Sequence, residues 1–223
     1  MDVGVFIFDT DYSINISQLA EELEQRGYES LFVPEHTHIP TSRRSPFPGG
    51  GELPKQYSHT LDPFVSLGFA AAATKKLKIG TGICLLPQRD PIVTAKSIAS
   101  LDLMSNGRFV LGLGGGWNVD EMENHGVTYK TRFSMMKEHV LAMKSLWVDE
   151  EAEFHGEFVN FDKSWAYPKP IQKPYPPILM GGETDYTLKR VVDYCDGWFP
   201  RGRGGFDAGE SMRRLKNMAD TSN

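Results

Sequence analysis

The chain alternates short apolar runs with amphipathic segments, and this order constrains the fold more than any other feature of the sequence. Each apolar run has the length and the β-branched or aromatic content of a strand, and a segment of helical character follows it. The six predicted strands are residues 3–8, 30–34, 77–86, 108–114, 178–182 and 196–200. Repeated βα units of this kind form a parallel sheet, either open and doubly wound or closed into a barrel.

The predicted helices carry start signals that agree with their apolar stripes. Asn15 is a candidate N-cap, and Asp62 and Asp90 each precede a proline, the residue favoured at the first helical position. The stripe after Asn15 consists of Ile16, Leu19, Ala20 and Leu23. A long helix is predicted over residues 133–147 and a last helix over residues 208–219.

Two long segments, residues 35–59 and 149–177, show no sustained periodicity and are rich in proline and glycine. Loops of this length in a compact domain are usually functional lids or disordered segments. A lid suits a barrel enzyme, because the chemistry of such enzymes lies at the carboxyl ends of the strands. We therefore expect a single barrel domain over residues 1–223, with Val5 and Ile7 among the side chains that line the barrel.

Composition limits the classes of function. The chain has 223 residues, of which 40% are hydrophobic and 24% charged, so it is long enough for one sizeable core. Its formal charge of -5 argues against a nucleic-acid partner, and we find no apolar run long enough to span a membrane. Cys84 and Cys195 show no metal-type spacing, and we interpret both as reduced, buried and structural. Because the N-terminus also lacks the features of a secretion signal, we expect a cytoplasmic protein.

Glu35 and His36 follow the second predicted strand, where a barrel would expose acid and base groups at its mouth. A neighbouring carboxylate favours the charged form of a histidine, so Glu35 is a candidate for tuning His36. The structural alternative is that Glu35 caps a turn and His36 is a solvated surface residue. His38 extends the pair to a His-x-His pattern, but no later strand end offers further ligands, so we expect no metal.

Glycines mark the ends of three other strands. The segment from Gly112 to Asn118 resembles a dinucleotide fingerprint, but it lacks the acidic residue expected about 20 positions later. Gly181, Gly182 and Thr184 precede a helix, where free N–H groups suit a phosphate, or Thr184 is an ordinary N-cap. Gly82 lies inside the third predicted strand, which indicates a bulge or a closely apposed ligand.

These motifs together resemble the luciferase-like monooxygenases, in particular the branch of coenzyme F-420-dependent oxidoreductases. The segments that carry the resemblance are residues 33–40, 80–91, 105–118, 167–170, 178–182 and 196–200, in the same order and over nearly the whole chain. The resemblance implies a TIM-type (β/α)8 barrel with a flavin or deazaflavin ring at the carboxyl ends of the strands. It also implies an enzyme with a small-molecule substrate.

The resemblance assigns roles to individual residues. It implies that His36 is the catalytic acid or base with Glu35 beside it, and that Gly82 and Ile83 form a bulge behind the ring, often through a cis peptide. Trp117 stands where relatives carry an acidic residue. The remaining positions, implied to surround the cofactor, are Gly114, Gly115, Gly116, Asn118, Gly181, Gly182 and Thr184.

The deazaflavin coenzyme F-420 is the cofactor that the resemblance implies, with FMN as the alternative. An acidic protein needs local cations to hold the acidic tail of the deazaflavin. The candidate loop cations are Arg43, Arg44, Arg201 and Arg203, although solvated loops explain them equally well. The rival functions are a metal-dependent hydrolase that uses His36 and His38, and a flavin-binding protein without catalytic activity.

The predicted strands number six, whereas a TIM barrel closes with eight, typically over about 250 residues. We therefore expect a barrel that lacks its last two βα units. Such a sheet has unpaired edges, so we also expect low stability or self-association, with a homodimer as one form.

Overall fold

The computed structural model describes residues 2–202 and 206–221 of the chain. Its strands are β1 (Gly4–Phe6), β2 (Ser30–Val33), β3 (Lys78–Thr81), β4 (Phe109–Leu113), β5 (Ala152–His155), β6 (Asn160–Ser164), β7 (Ile178–Gly181) and β8 (Gly197–Phe199). Its helices are α1 (Ile16–Gln25), α2 (Pro63–Ala73), α3 (Pro91–Met104), α4 (Val119–Asn124), α5 (Arg132–Val148), α6 (Asp185–Tyr194) and α7 (Ala208–Thr221). Arg203, one of the loop cations considered above, lies outside the described residues.

Six strands form one parallel sheet in the order β1-β2-β3-β4-β7-β8, which confirms the predicted series of βα units. The sheet is curled. The ring of Phe32 on β2 lies 5.1 Å from the ring of Phe199 on β8, although three strands separate β2 from β8 in the sheet. Side chains of distant strands meet only if the sheet bends round toward itself, so the fold is of the barrel type and not an open sheet.

The main core lies between the outer face of the sheet and the helices. Asn15 accepts hydrogen bonds from the first turn of α1, and Asp62 and Asp90 do the same for α2 and α3, as their positions before the helices predict. The largest side chains that these layers bury completely are Leu31, Leu67, Leu77, Ile79, Leu86, Ile98, Phe109, Leu111, Leu113, Met136 and Met143.

The expectation that Val5 and Ile7 line the barrel is wrong. Val5 and Ile7 pack against the core beneath the helices, whereas Phe6 and Phe8 face the inside of the curl. Successive side chains of a strand point to opposite faces, so the assignment of one residue to the wrong face reverses the whole strand. Phe6 remains 48% exposed because it lies on the inner wall.

Three other features of the secondary structure differ from the sequence-based expectation. The third strand ends at Thr81 rather than at Leu86, where the 3₁₀ turn Leu86–Gln88 begins. The segment 149–177 contains the antiparallel pair β5–β6 and is therefore not a continuous loop. Helix α4 was not predicted, because six residues between two turns are too short to show a periodic pattern.

Candidate functional site

A cavity of about 830 Å³ opens at the carboxyl ends of the strands, where parallel barrels place their chemistry. The positions that the sequence singled out and that line it are Glu35, His36, Gly82, Ile83, Gly114, Gly115, Gly116, Trp117, Gly181, Gly182 and Thr184. Asn118 differs from these. It is buried at the start of α4, outside the cavity lining, and its amide nitrogen has no hydrogen-bond partner among the described residues.

Ile83 occupies the centre of the glycine-rich part of the wall. The peptide bond between Gly82 and Ile83 is cis, which confirms the prediction for this position. A Cβ atom at Gly114 would lie 2.3 Å from Ile83 Cδ1, and one at Gly181 would lie 2.9 Å from Ile83 Cγ2. The glycines at the ends of β4 and β7 therefore leave room for the side chain of Ile83, whether or not a ligand is bound.

The turn after β4 has similar steric reasons for its glycines. A Cβ atom at Gly115 would lie 2.7 Å from the ring of Phe133, and Gly116 adopts a φ of 72°, which favours glycine. The turn directs Trp117 to the cavity. Its resemblance to a dinucleotide fingerprint is thus accounted for by close packing around the wall.

Glu35 does not contact His36 through its carboxylate, contrary to the expectation that it tunes the histidine. Its Oε2 accepts a hydrogen bond of 2.7 Å from the backbone N–H of Leu85, and its Oε1 accepts one of 2.6 Å from Arg89 Nε. Burial opposes the charge of Arg89, but the charge and hydrogen bond of Glu35 outweigh it and raise the pKa of Arg89. Glu35 therefore joins the end of β2 to the segment between β3 and α3, as part of the wall.

His36 is paired with a carboxylate that the sequence did not indicate. Its Nδ1 lies 2.8 Å from Oε2 of Glu121 on α4, and both side chains are buried. The hydroxyl of Thr60 donates a hydrogen bond of 2.8 Å to the backbone carbonyl of His36. Position 121 lies 85 residues from His36, in a helix that was not predicted, so no local pattern could have revealed the contact.

Aromatic rings surround His36 inside the cavity. The ring of Tyr57 lies 5.3 Å from the imidazole and that of Trp117 lies 5.9 Å away. Phe47 contacts both of these rings, and Phe8 contacts Tyr57. The segment 35–59 thus contributes ring side chains to the wall, in agreement with its predicted place over the mouth of the barrel.

Two arginines that the sequence analysis missed form a cationic part of the wall. Arg132 and Arg190 both lie over the ring of Phe133, with distances of 4.2 and 3.7 Å from Cζ to the ring centroid. Burial lowers the pKa of both guanidinium groups, and the charge of Arg190 adds to the lowering at Arg132. Among the described residues, Arg132 Nε is buried without a hydrogen-bond partner. This part of the wall is suited to an anion.

Thr184 and the loop before it line the same cavity as the arginines. Thr184 caps α6 by accepting a hydrogen bond of 3.2 Å from the backbone N–H of Thr187, as its position predicts. Gly182 adopts a φ of 121°, and a Cβ atom there would meet the hydroxyl of Thr187. Two of the loop cations are less available, because Arg44 pairs with Asp120 and Glu123 and Arg201 pairs with Glu183.

The histidines of the segment after β2 bond to different partners. His38 Nε2 lies 2.9 Å from the side-chain amide of Asn124, whereas His36 contacts Glu121. Across residues 2–202 and 206–221, no three His, Cys, Asp or Glu side chains are grouped in a way that would hold a metal ion. None of the helices in the described part of the chain combines the length and the apolar character that crossing a bilayer requires.

The sequence of the chain is similar to those of known proteins. A family model described as luciferase-like monooxygenase matches residues 1–222 of the chain. An uncharacterized protein of Mycobacterium tuberculosis is 42% identical over 222 residues, which cover 98% of this chain and 78% of that protein. The FMNH2-dependent dimethylsulfone monooxygenase of Pseudomonas putida is 31% identical over 152 residues, which cover 67% of this chain and 40% of that enzyme.

Solved structures share the fold at low sequence identity. The structure of an F420-dependent secondary alcohol dehydrogenase in complex with an F420-acetone adduct superposes with a TM-score of 0.78 at 23% identity. The match covers 98% of this chain and 64% of that one, so the chain spans slightly less than two thirds of the length of this structural relative.

Proposed function

Because this chain belongs to the luciferase-like monooxygenase family, we propose that it is an oxidoreductase that transfers a hydride between coenzyme F-420 and a small organic substrate. The observation that supports this most strongly is the composition of the cavity wall. One group of lining residues offers a buried histidine among aromatic rings, and another offers two partly buried arginines. The arginines suit the phosphate of a flavin-type cofactor, and the histidine with its aromatic rings suits a neutral substrate.

The wall fits such a cofactor in two respects. Arg132 has a buried Nε, and the guanidinium of Arg190 lies beside the same ring. No carboxylate contributes to the pKa shift of either arginine, so their charges are available to hold a phosphate. The side chain of Ile83, which occupies the space left by Gly114 and Gly181, forms an apolar surface in the cavity wall against which a flat ring would rest. When bound, the cofactor supplies the two-electron chemistry.

The residues of the chain supply binding, orientation and proton transfer. His36 exchanges the proton that accompanies the hydride, for example the hydroxyl proton of an alcohol that is oxidised to a carbonyl compound. Phe47, Tyr57 and Trp117 exclude water around His36 and provide an apolar surface for the substrate. The ion pair of Glu35 and Arg89 holds the end of β2 to the segment before α3 in the wall of the site.

An FMN-dependent monooxygenase is the second candidate. It is favoured by the FMNH2-dependent relative from Pseudomonas putida, which is more similar in sequence than the F420-dependent dehydrogenase. FMN and F-420 have similar tricyclic rings and each carries a phosphate group, so Arg132 and Arg190 suit either cofactor. The engagement of Arg44 and Arg201 with carboxylates leaves fewer cations for the acidic tail of F-420 than the sequence suggested.

A binding titration tests the proposal directly. The purified chain is titrated with F-420 and with FMN in the same buffer, and binding is followed by the fluorescence of each cofactor. We expect the lower Kd for F-420, and reduction of bound F-420 by members of a panel of short alcohols that begins with 2-propanol. An equal or lower Kd for FMN would reject the F-420-dependent function and favour the FMN-dependent monooxygenase.

We also propose that the protein acts on small molecules in the cytoplasm and that it self-associates. The formal charge of -5 supports a small-molecule role over a role in nucleic-acid binding. Light scattering after size-exclusion chromatography measures the mass in solution. A mass of one chain, 25.0 kDa, would reject self-association.

A further inference from the structure

Glu121 is a fully buried carboxylate whose two oxygens both face the segment that follows β2. Oε2 lies 2.8 Å from Nδ1 of His36, and Oε1 accepts a hydrogen bond of 3.2 Å from the backbone N–H of Thr37. A buried carboxylate is costly unless it is paired or hydrogen-bonded. His36 and Thr37 provide this compensation, so the energetics of Glu121 are coupled to the position of His36.

The contact determines which nitrogen of His36 is available to a bound molecule. An ionised carboxylate is only an acceptor, so the nitrogen that faces it must carry a proton. In the neutral ring the proton then resides on Nδ1, and Nε2 retains its lone pair. Because Nδ1 is turned to Glu121, Nε2 is the nitrogen available to the cavity that His36 lines.

We infer that Glu121 is the positioning residue of His36: it keeps the proton of the neutral imidazole on Nδ1, so that Nε2 accepts the proton released by the substrate. The imidazolium formed in this step is stabilised beside the carboxylate of Glu121, and it returns the proton in the reverse reaction. The inference rests on the proposed function, in which His36 exchanges the substrate proton.

Glu35 cannot perform this role in the same structure. Its two carboxylate oxygens accept hydrogen bonds from Leu85 N–H and from Arg89, and Arg89 also bonds to Asp62. Glu35, the neighbour of His36 in sequence, is thus bonded to other residues of the wall. Glu121, 85 residues away, is the carboxylate that contacts His36. The sequence-adjacent pair and the functional pair are therefore different.

A purely structural role for Glu121 makes a different prediction. In that case the carboxylate only joins α4 to the segment after β2, and its replacement changes stability without changing the tautomer of His36. The hydrogen bond from Thr60 to the carbonyl of His36 does not involve Glu121. It holds the backbone of His36 in variants at position 121, which allows the two roles to be separated.

The decisive variant is Glu121→Gln. The backbone N–H of Thr37 still requires an acceptor, so the new amide oxygen is expected to face Thr37 and the new amide NH2 to face His36. Nδ1 then has to accept a hydrogen bond, and the proton of the neutral ring moves to Nε2. A long-range ¹H–¹⁵N correlation spectrum of protein labelled at histidine reports which ring nitrogen is protonated, and His36→Ala identifies the signals of His36.

We expect protonation at Nδ1 in the unaltered chain and at Nε2 in Glu121→Gln, both measured without cofactor. In the F-420 assay with 2-propanol and the alcohol panel, we expect kcat to fall about 10²-fold or more while KM and the Kd of F-420 change less than about twofold. Glu123→Gln is the matched control. Glu123 lies on the same helix, is half exposed and pairs with Arg44, so its replacement should leave the tautomer and kcat unchanged.

Glu121→Asp keeps an acceptor in place and provides a second test that does not depend on the folding of the glutamine variant. It should keep the proton on Nδ1 and retain more of the kcat. Protonation of the unaltered His36 at Nε2, or an unchanged tautomer or an unchanged kcat in Glu121→Gln, would overturn the inference. Normal turnover in His36→Ala, or no turnover with the panel, would instead reject the proposed function, while the tautomer still decides the role of Glu121.

Discussion

The two faces of the curled sheet are built on different principles. Leu31 and Phe32 are adjacent on β2, but Leu31 is fully buried beneath the helices, whereas Phe32 faces inward and contacts Phe199 across the curl. The outer face is a continuous layer of mostly aliphatic side chains covered by α1, α2, α3, α5 and α6. The inner face combines glycines and aromatic rings around a cavity, and its side chains contact residues that are far away in the chain.

This difference predicts that stability depends mainly on the outer face and that function depends mainly on the inner face. Outer side chains contribute through burial, which is non-directional and tolerates exchange of one aliphatic residue for another. Inner side chains such as His36 depend on one specific partner and on a fixed orientation. We therefore expect changes on the inner face to affect turnover and binding, and changes on the outer face to affect the free energy of unfolding.

The largest expected effect is that of His36→Ala on the inner face. Loss of the proton-exchanging group should reduce kcat by about 10²–10⁴-fold, while the Kd of F-420 stays within about twofold. The melting temperature should change little. His38→Ala is the control, because His38 lies in the same segment but bonds to Asn124, and steady-state kinetics of both variants with the alcohol panel test the difference. Equal kcat values for His36→Ala and the unaltered chain would remove His36 from the mechanism.

The second prediction concerns the outer face. Leu31→Ala removes a fully buried side chain between β2 and the helices and should lower the free energy of unfolding by about 2–5 kcal/mol. Phe6→Ala on the inner face should cost less than half as much, because Phe6 is 48% exposed. Urea denaturation of both variants measures these values. A cost at Phe6 equal to that at Leu31 would show that the inner face is as closely packed as the outer face.

The outer face could be predicted from the sequence, because its signals are local. The stripe from Ile16 to Leu23 and the caps Asp62 and Asp90 each lie within a few residues of the structure that they specify. The order of six parallel strands follows from the alternation of patterns. The face of β1 was assigned wrongly because its apolar run, from Val3 to Phe8, lacks the alternation that distinguishes the two sides.

The partners of the inner face could not be predicted, because they depend on contacts between distant parts of the chain. His36 was identified by its place after a strand, but its carboxylate Glu121 lies in a short helix without a periodic signal. Arg132 and Arg190 resembled ordinary helix-surface arginines until the fold placed them over Phe133. The assignment of the lining residues to a cofactor stays a prediction.

The third prediction tests the cationic part of the inner face. Arg190→Gln should weaken the binding of both F-420 and FMN by about 10–100-fold, because a charged hydrogen bond to an anion contributes about 1.5–3 kcal/mol. Arg213→Gln, at an exposed arginine of α7, is the matched control and should leave both Kd values unchanged. If the Kd of each cofactor is the same in both variants, the phosphate lies elsewhere.

The smallest expected effect lies on the outer side, where Glu24 of α1 joins the turn before β3. Its carboxylate accepts hydrogen bonds from the backbone N–H groups of Lys75, Lys76 and Leu77. Partial burial acts in the opposite direction, but these bonds lower the pKa of Glu24 below the ordinary value of 4.5. A carboxyl group with a lowered pKa in the folded state stabilises that state above the unfolded pKa, and the contribution is lost as the pH falls through the folded pKa.

Glu24→Gln should therefore be less stable than the unaltered chain at pH 7, by less than about 1 kcal/mol because Glu24 is near the surface. The difference between the two proteins should shrink as the pH falls below 4.5, since the unaltered chain then loses the charge that the variant lacks at every pH. Glu21→Gln, an exposed position on the same helix, is the control. Urea denaturation between about pH 7 and pH 3 measures the difference. A difference that stays constant over this range would mean that the ionised carboxylate contributes nothing, and that the outer face depends on burial alone.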